Sequence, residues 1–332
     1  MPESRLSLEQ AKAVVVRILV ANRTSEANAR SVARALVLAE ADGLKGHGLS
    51  RVATYAEQAR VGKVDGAATP VSARVAPSVL NVDAKFGFAY PALDLAVTEL
   101  ISLTPVQGVA AAAVQHSHHC GAMGLVVEKL AEAGLVALMF SNTPAAIAPW
   151  GGRRALFGTN PIACAFPQRG LPPVVIDLSI SKVARGNILA AKQRGERIPA
   201  DWAFDRVGQP TTDPDAALGG TMAPMGAAKG SALALMVETL AAGLTGSNYA
   251  FQASSFLDAE GAPPNVGQLL IAFAPECFGG QGAVDHIGVL FGAVSAEEGA
   301  RLPGARRLAL RARAQVEGII VPPSMLAEVG EQ

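Results

Sequence analysis

Three of the five histidines in the 332-residue chain, His116, His118 and His119, fall within four positions, a density that random placement seldom gives. An imidazole titrates near neutral pH, so such a group can exchange protons, hold a cofactor or bind a metal. On an extended strand His116 and His118 share one face and His119 takes the other, which suits one structural and one catalytic or cofactor-contacting ring. A purely structural cluster is a second reading and zinc a third. Zinc wants a further Cys, Asp or Glu at fixed spacing, and Cys120 beside His119 points the wrong way on a strand. No metal is expected.

His47 stands between Gly46 and Gly48, and Arg51 follows one turn later. If a helix has started by then, the two side chains share a face, and a proton donor and an anion clamp look into one pocket. A guanidinium holds a carboxylate by two parallel hydrogen bonds, while an imidazole gives a proton to a carbonyl oxygen or an imine nitrogen. The plainer alternative is a helix-start histidine with a solvated arginine. Lys229 and Gly230 precede an apolar run, Ser231 to Leu244, so a lysine and free backbone N–H groups mark a helix N-terminus that attracts phosphate, or else an ordinary loop lysine. No GxGxxG or Walker pattern occurs, so neither a Rossmann fingerprint nor a P-loop is present.

These residues need elements to carry them. Ser7 and Gln10 form a capping box before apolar positions Ala11, Val14, Val15, Ile18 and Leu19, and further helices are read over Glu26 to Ala41 and Leu49 to Arg60. Strands are read over Ser72 to Asp83, Gly108 to Val114 with His116 beyond its end, Leu135 to Ser141, Val174 to Asp177 and Gln268 to Phe273. Residues 194–226, dense in Gly, Pro and Asp, read as one long ordered loop. The expected organisation is a helical N-terminal segment over 1–70, a sheet domain over 71–310, and a C-terminal segment over 311–332 packing back on the helices.

Composition narrows the partners. Half the residues are hydrophobic, and 34 glycines with 21 prolines favour short α/β elements. Lys plus Arg equals Asp plus Glu at 28 each, so no net field recruits nucleic acid or an anionic membrane. Cys120, Cys164 and Cys277 lack CxxC spacing and suit a reducing compartment. The start MPESRLSLEQ has no secretory pattern and no apolar run reaches bilayer length, so a cytoplasmic protein is expected. The mean hydropathy of +0.29 suggests a subunit interface as well as a core.

Taken in order, DGLKGHGLSR (Asp42 to Arg51), HSHHCG (His116 to Gly121), APWGG and FGTNPIA (Ala148 to Ala163), IDLSISKVARG (Ile176 to Gly186), GQPTTDP (Gly208 to Pro214) and KGSALALMVE (Lys229 to Glu238) resemble the malate/L-lactate dehydrogenase family of the non-Rossmann type. That resemblance implies an α/β fold with a helical N-terminal segment and a central mixed sheet. It also implies a nicotinamide cofactor, NADPH preferred and NAD second, and a homodimer acting on a small-molecule substrate. His47 then matches the family's proton donor and Arg51 the arginine of its SHGxxR motif. His119 matches the histidine treated as proton acceptor in ureidoglycolate-type members, and the two assignments compete, with His47 preferred. His118, Thr143, Asp177, Leu178, Ser179, Ser181, Lys229, Gly304 and Arg306 carry over as cofactor contacts, and Thr159 and Asn160 as substrate-pocket wall.

Three positions depart from the family pattern. Gly46 replaces the usual serine, Asn187 the usual lysine, and Ala227 the second glycine of the GGxKG segment. With the imine-reductase-like KGSAL string, these losses turn the expectation toward Δ1-pyrroline-2-carboxylate and Δ1-piperideine-2-carboxylate. The rivals are a 2-hydroxy acid dehydrogenase and a metabolite-binding protein without turnover.

Overall fold

The computed structural model describes residues 4–328 and Gly330. The chain starts with a short strand, β1 (Ser4–Leu6), then α1 (Leu8–Ala21) and α2 (Glu26–Ala41). Ser7 caps α1 as expected: its Oγ accepts the Gln10 N–H, and the Gln10 side chain accepts the Ser7 N–H. Two single 3-10 turns, Lys45–His47 and Leu49–Arg51, precede α3 (Val52–Val61). The helix expected from Leu49 therefore begins three residues later. Gly48 breaks the path, and His47 and Arg51 sit on separate turns rather than on one helical face.

The stretch read as one strand from Ser72 to Asp83 is a hairpin, β2 (Val71–Ala76) and β3 (Val79–Asp83), turned at Pro77 and Ser78. A proline at that turn cannot donate to a ladder, which is why the run folds back. After α4 (Ala89–Gln107) comes β4 (Val109–Ser117), then α5 (Gly124–Glu132), β5 (Val136–Ser141), β6 (Ile162–Gln168) and β7 (Leu171–Leu178). The glycine-rich stretch is ordered but not structureless. Following α6 (Arg185–Arg194) it holds β8 (Ala203–Phe204), α7 (Pro214–Leu218) and β9 (Thr221–Met222), with β8 paired to β9.

Next, α8 (Ala228–Glu238) runs into a π-turn (Thr239–Gly243) before β10 (Val266–Phe273). Lys229 thus lies inside the first turn of α8 rather than before it. The chain closes with α9 (Glu276–Gly279), α10 (Ala283–Ala296), α11 (Ala305–Glu317), β11 (Ile319–Val321) and α12 (Pro323–Glu328).

The main sheet has seven strands in the order β2-β3-β4-β10-β5-β6-β7, with only β3 and β4 parallel. A mixed central sheet is what the sequence led us to expect. Its middle strand, β10, is buried along most of its length, because α4 and α5 cover one face and the α8 π-turn covers part of the other. The alanines of β4 (Ala110, Ala112) let α4 and α5 approach closely. A second core forms where α1, α2 and α3 meet β11 and α12, so the chain's end packs on its beginning.

Helix α11 is fixed by charge. Arg307 and Arg311 both reach Asp42, at the end of α2, and Glu128, on α5, with N···O distances of 2.6–3.0 Å. Both carboxylates are nearly fully buried. Burial alone would raise the Glu128 carboxyl, but hydrogen bonds from the two guanidinium groups outweigh it and hold it below the usual range.

Candidate active site

Strand β4 delivers the histidines, though not by simple alternation. Gln115 and His116 together oppose the single Gly267 of β10, a bulge in which His116 takes φ +49°. The bulge throws His116 outward, where its Nδ1 meets Asp83 at 2.9 Å and its ring lies on Phe86. His118 and His119 both turn inward onto Tyr55 and Phe256. The expected pairing of His116 with His118 is thereby overturned, since the strand ends at Ser117 and period-two geometry no longer applies.

His47 joins this inner group. Its ring stacks on His119 with centroids 5.6 Å apart, and neither of its nitrogens makes a hydrogen bond among the described residues. The loop carrying it is held by Glu40, whose carboxylate accepts the Leu49 N–H at 3.0 Å, and any side chain at Gly48 would collide with that carboxylate. Gly46 is open, so the absence of the family's serine there answers no steric demand.

Arg51 donates from Nε to the Gly46 carbonyl at 2.7 Å, and its two terminal nitrogens have no partner among the described residues. The guanidinium is aimed without being consumed. Although Arg51 shares no helix with His47, its charge acts on the same pocket. Burial, then the Arg51 charge, lowers the His47 pKa to about 4. Burial, then Lys63 and Arg51, takes His118 to about 3, and burial with Arg51 and the other two rings holds His119 well below its ordinary value. All three imidazoles are therefore neutral at pH 7.

Tyr55 and Tyr90 complete the wall. The Tyr55 hydroxyl lies 2.5 Å from His119 Nδ1 and 3.2 Å from the Tyr90 hydroxyl, and burial pushes its pKa up to about 12. A phenol is a stronger donor than a neutral imidazole, so donor strength assigns the shared proton to Tyr55 and leaves His119 with its own on Nε2. Tyr55 stands four residues after Arg51, and that spacing is the one signal by which the sequence could have revealed it. Phe256, Lys63 and Gln58 carry no such signal, because long-range packing brings them here.

The remaining expected residues gather where the strands end. The Thr143 Oγ accepts the Thr159 N–H at 2.9 Å, Ser179 donates to the Thr159 carbonyl at 3.3 Å, and the Ser179 and Ser181 hydroxyls are hydrogen-bonded at 2.7 Å. Leu178 is partly exposed beside them. Asp177 accepts the Gly124 N–H at 2.7 Å, which ties the end of β7 to the start of α5 just beyond the histidines. Asn160 is fully enclosed, with its amide given to Glu238 and the Ala234 carbonyl, so it supports the wall from behind.

Helix α8 has no side-chain cap, and Lys229 is exposed on its first turn. A Cβ at Gly230 would strike the Met225 carbonyl, so only glycine lets the chain pass so close. Ala227 sits at φ +54°, a strained conformation for alanine. Gly304 and Arg306 lie apart at the start of α11, on an open cavity of about 470 Å³ that Asp42, Leu44 and Arg301 also line. An uncapped helix end, hydroxyl groups and arginine side chains are each groups of the kind that bind phosphate or sugar hydroxyls. Among the described residues no three His, Cys, Asp or Glu side chains converge as a metal requires, and no helix is long and apolar enough to cross a membrane.

The chain is similar to known proteins. A family model described as malate/L-lactate dehydrogenase matches residues 6–330. A (2R)-3-sulfolactate dehydrogenase (NADP(+)) of Chromohalobacter salexigens is 52% identical, with 98% of this chain and 96% of that one covered. The Δ1-pyrroline-2-carboxylate/Δ1-piperideine-2-carboxylate reductase of Pseudomonas aeruginosa is 40% identical, with 98% of each covered. The crystal structure of Δ1-piperideine-2-carboxylate reductase from Pseudomonas syringae pv. tomato matches with a TM-score of 0.89, at 40% identity and 98% coverage of each chain.

Proposed function

The chain belongs to the malate/L-lactate dehydrogenase family, and on that premise we propose that it exchanges hydride between NADPH and C2 of a small carboxylate, with a cyclic imine carboxylate as preferred substrate. The observation that carries the substrate reading is the enclosure of the His47 ring, which stacks on His119 with neither nitrogen hydrogen-bonded among the described residues and which burial keeps neutral at pH 7. A ketone must be protonated as hydride arrives, and an imidazole held near pKa 4 is a poor source at pH 7. Δ1-Pyrroline-2-carboxylate and Δ1-piperideine-2-carboxylate are largely protonated on nitrogen near neutral pH, so the carbon is already activated.

In this reading the free terminal nitrogens of Arg51 hold the substrate carboxylate in a two-point contact. His47 accepts a hydrogen bond from the iminium N–H and so fixes which face of C2 is presented. Tyr55 orients His119, and the aromatic wall excludes water. Thr143, Ser179, Ser181 and Lys229, with Arg306 and Gly304 at the α11 cavity, would hold the cofactor, which when bound supplies the hydride. The iminium carbon gains that hydride, the C=N bond becomes single, and a secondary amine leaves: L-proline or L-pipecolate.

The 52% identity to a sulfolactate dehydrogenase favours a second reading, oxidation of a 2-hydroxy acid. There the same neutral His47 takes the hydroxyl proton as hydride leaves C2. Initial rates with NADPH and Δ1-pyrroline-2-carboxylate, Δ1-piperideine-2-carboxylate, pyruvate, oxaloacetate and 3-sulfopyruvate separate the two. We expect the cyclic imines to have the highest kcat/KM; a higher value for 3-sulfopyruvate replaces the first reading with the second.

Cofactor preference rests on Arg301 and Arg306 beside the α11 start and on the NADP(+) in that relative's name. Lys229→Ala is expected to weaken NADPH binding about 10-fold, the loss of one phosphate contact worth ~1.4 kcal/mol. Calorimetric titration measures it, and equal affinity of the two proteins would return Lys229 to a solvated role. For assembly, a homodimer is favoured by α10, which has no buried residue and exposes Val289 by 68% and Leu290 by 64%.

A further inference from the structure

Between the π-turn and β10 the chain passes over His118 and His119 in a segment without regular structure, and the way this segment is anchored carries an inference. Lys63, on the loop after α3, has a side chain only 1% exposed, yet its ammonium is fully used: it donates to the Ser255 carbonyl at 2.7 Å, the Asp258 carbonyl at 3.1 Å and the Asp258 carboxylate at 3.2 Å. Gln58, on α3, donates to the Asp258 carbonyl at 2.7 Å and to the Phe256 carbonyl at 3.4 Å. Ser254 closes the far side by donating to the Ala262 carbonyl at 2.6 Å. An ammonium is costly to bury unless each of its protons is taken up, and here all are.

What this anchoring holds in place is one ring. Leu257 next along the segment faces solvent, whereas Phe256 is buried with its centroid 5.0 Å from His119 and 5.5 Å from His118. His118 itself is 1% exposed with both ring nitrogens unpartnered, so Phe256 meets it by ring contact alone. The face that the strap turns toward the two histidines is thus a single apolar ring on a pinned segment.

We propose that residues 253–260 form a strap, pinned by Lys63 and Gln58, whose Phe256 ring is the wall that sets the size of substrate the pocket accepts. A wall of this kind discriminates by methylene count. Lys63 is a positioning residue acting through the strap. The preference for cyclic imines rests on the function proposed above, but the wall does not.

The test compares kcat/KM for Δ1-piperideine-2-carboxylate with that for Δ1-pyrroline-2-carboxylate, which differ by one methylene. Phe256→Ala is expected to raise the six-ring to five-ring ratio by about 10-fold, the low end of what one methylene is worth in a fitted pocket, while NADPH affinity stays within two-fold of wild type. Phe256→Leu, which keeps a folded apolar side chain, should move the ratio part of the way. A ratio unchanged in both variants overturns the wall. For Lys63→Met the same shift is expected, together with faster amide hydrogen exchange over 253–260, and Lys63→Arg should restore both; an unshifted ratio with slow exchange overturns the anchoring. If the wild-type enzyme turns over no cyclic imine, the same ratio is read on lactate and 2-hydroxybutyrate. A shift there keeps the wall and discards only the imine.

Discussion

Replacing His47 by asparagine is expected to lower oxidative turnover by about 100-fold or more, the range for loss of a general base, with the fold and cofactor affinity retained. In that direction the neutral imidazole must take a proton from the substrate's oxygen or nitrogen. In the reductive direction an imine brings its own proton, so the loss there should be smaller, and the ratio of the two losses measures how much proton transfer His47 performs. Protonation of His47 removes the base, and its pKa of about 4 puts that event low. The profile of kcat/KM for oxidation should therefore stay free of a His47 limb between pH 5 and 7 and fall as pH drops toward 4. Oxidative turnover of His47→Asn within a few-fold of wild type would show that His47 is not the base.

The second large effect is on stability. Asp42→Ala leaves Arg307 and Arg311 in a buried site with Glu128 as their one remaining ion-pair partner among the described residues. Breaking a buried charge network by removing one member costs about 3–5 kcal/mol, because the charges left behind stay desolvated. For a chain of this size that lowers the midpoint of thermal unfolding by roughly 4–7 °C, read by calorimetry. The consequence reaches the site, since Asp42 ends α2 and the turn bearing His47 starts three residues on. A pH dependence follows from Glu128. Its folded pKa is depressed, so its contribution is fully present above the unfolded value of about 4.5 and is lost as pH falls through the folded one. A midpoint within 2 °C of wild type at pH 7 would show that α11 is held by packing instead.

The sequence made the N-terminal helices legible because local rules govern them: the Ser7 capping box and the apolar spacing of α1 need no distant partner. Landmark strings located His47, Arg51, His119 and the strand-end hydroxyls for the same reason, since each lies in a short contiguous motif. Geometry between motifs was not legible. The bulge at His116 depends on what β10 places opposite it, so alternation along one strand misassigned the pair. A helix start was read from the lysine, yet Ala227 at positive φ lets α8 begin one residue before Lys229. Tyr55, Lys63 and Phe256 meet the histidines only through folding; the Gln58 to Phe256 bond alone spans 198 positions. Low local periodicity in 194–226 hid two short strands and α7, elements too brief for a period to declare itself.

The central claim is that hydride passes directly between the nicotinamide and C2 of a small carboxylate. Supplying NADPH deuterated at C4, each face in turn, with Δ1-pyrroline-2-carboxylate and analysing the product by mass spectrometry and proton NMR tests it most directly. The account predicts L-proline carrying one deuterium at C2 from one face and none from the other; product without deuterium from either face, or with label elsewhere than C2, would contradict it.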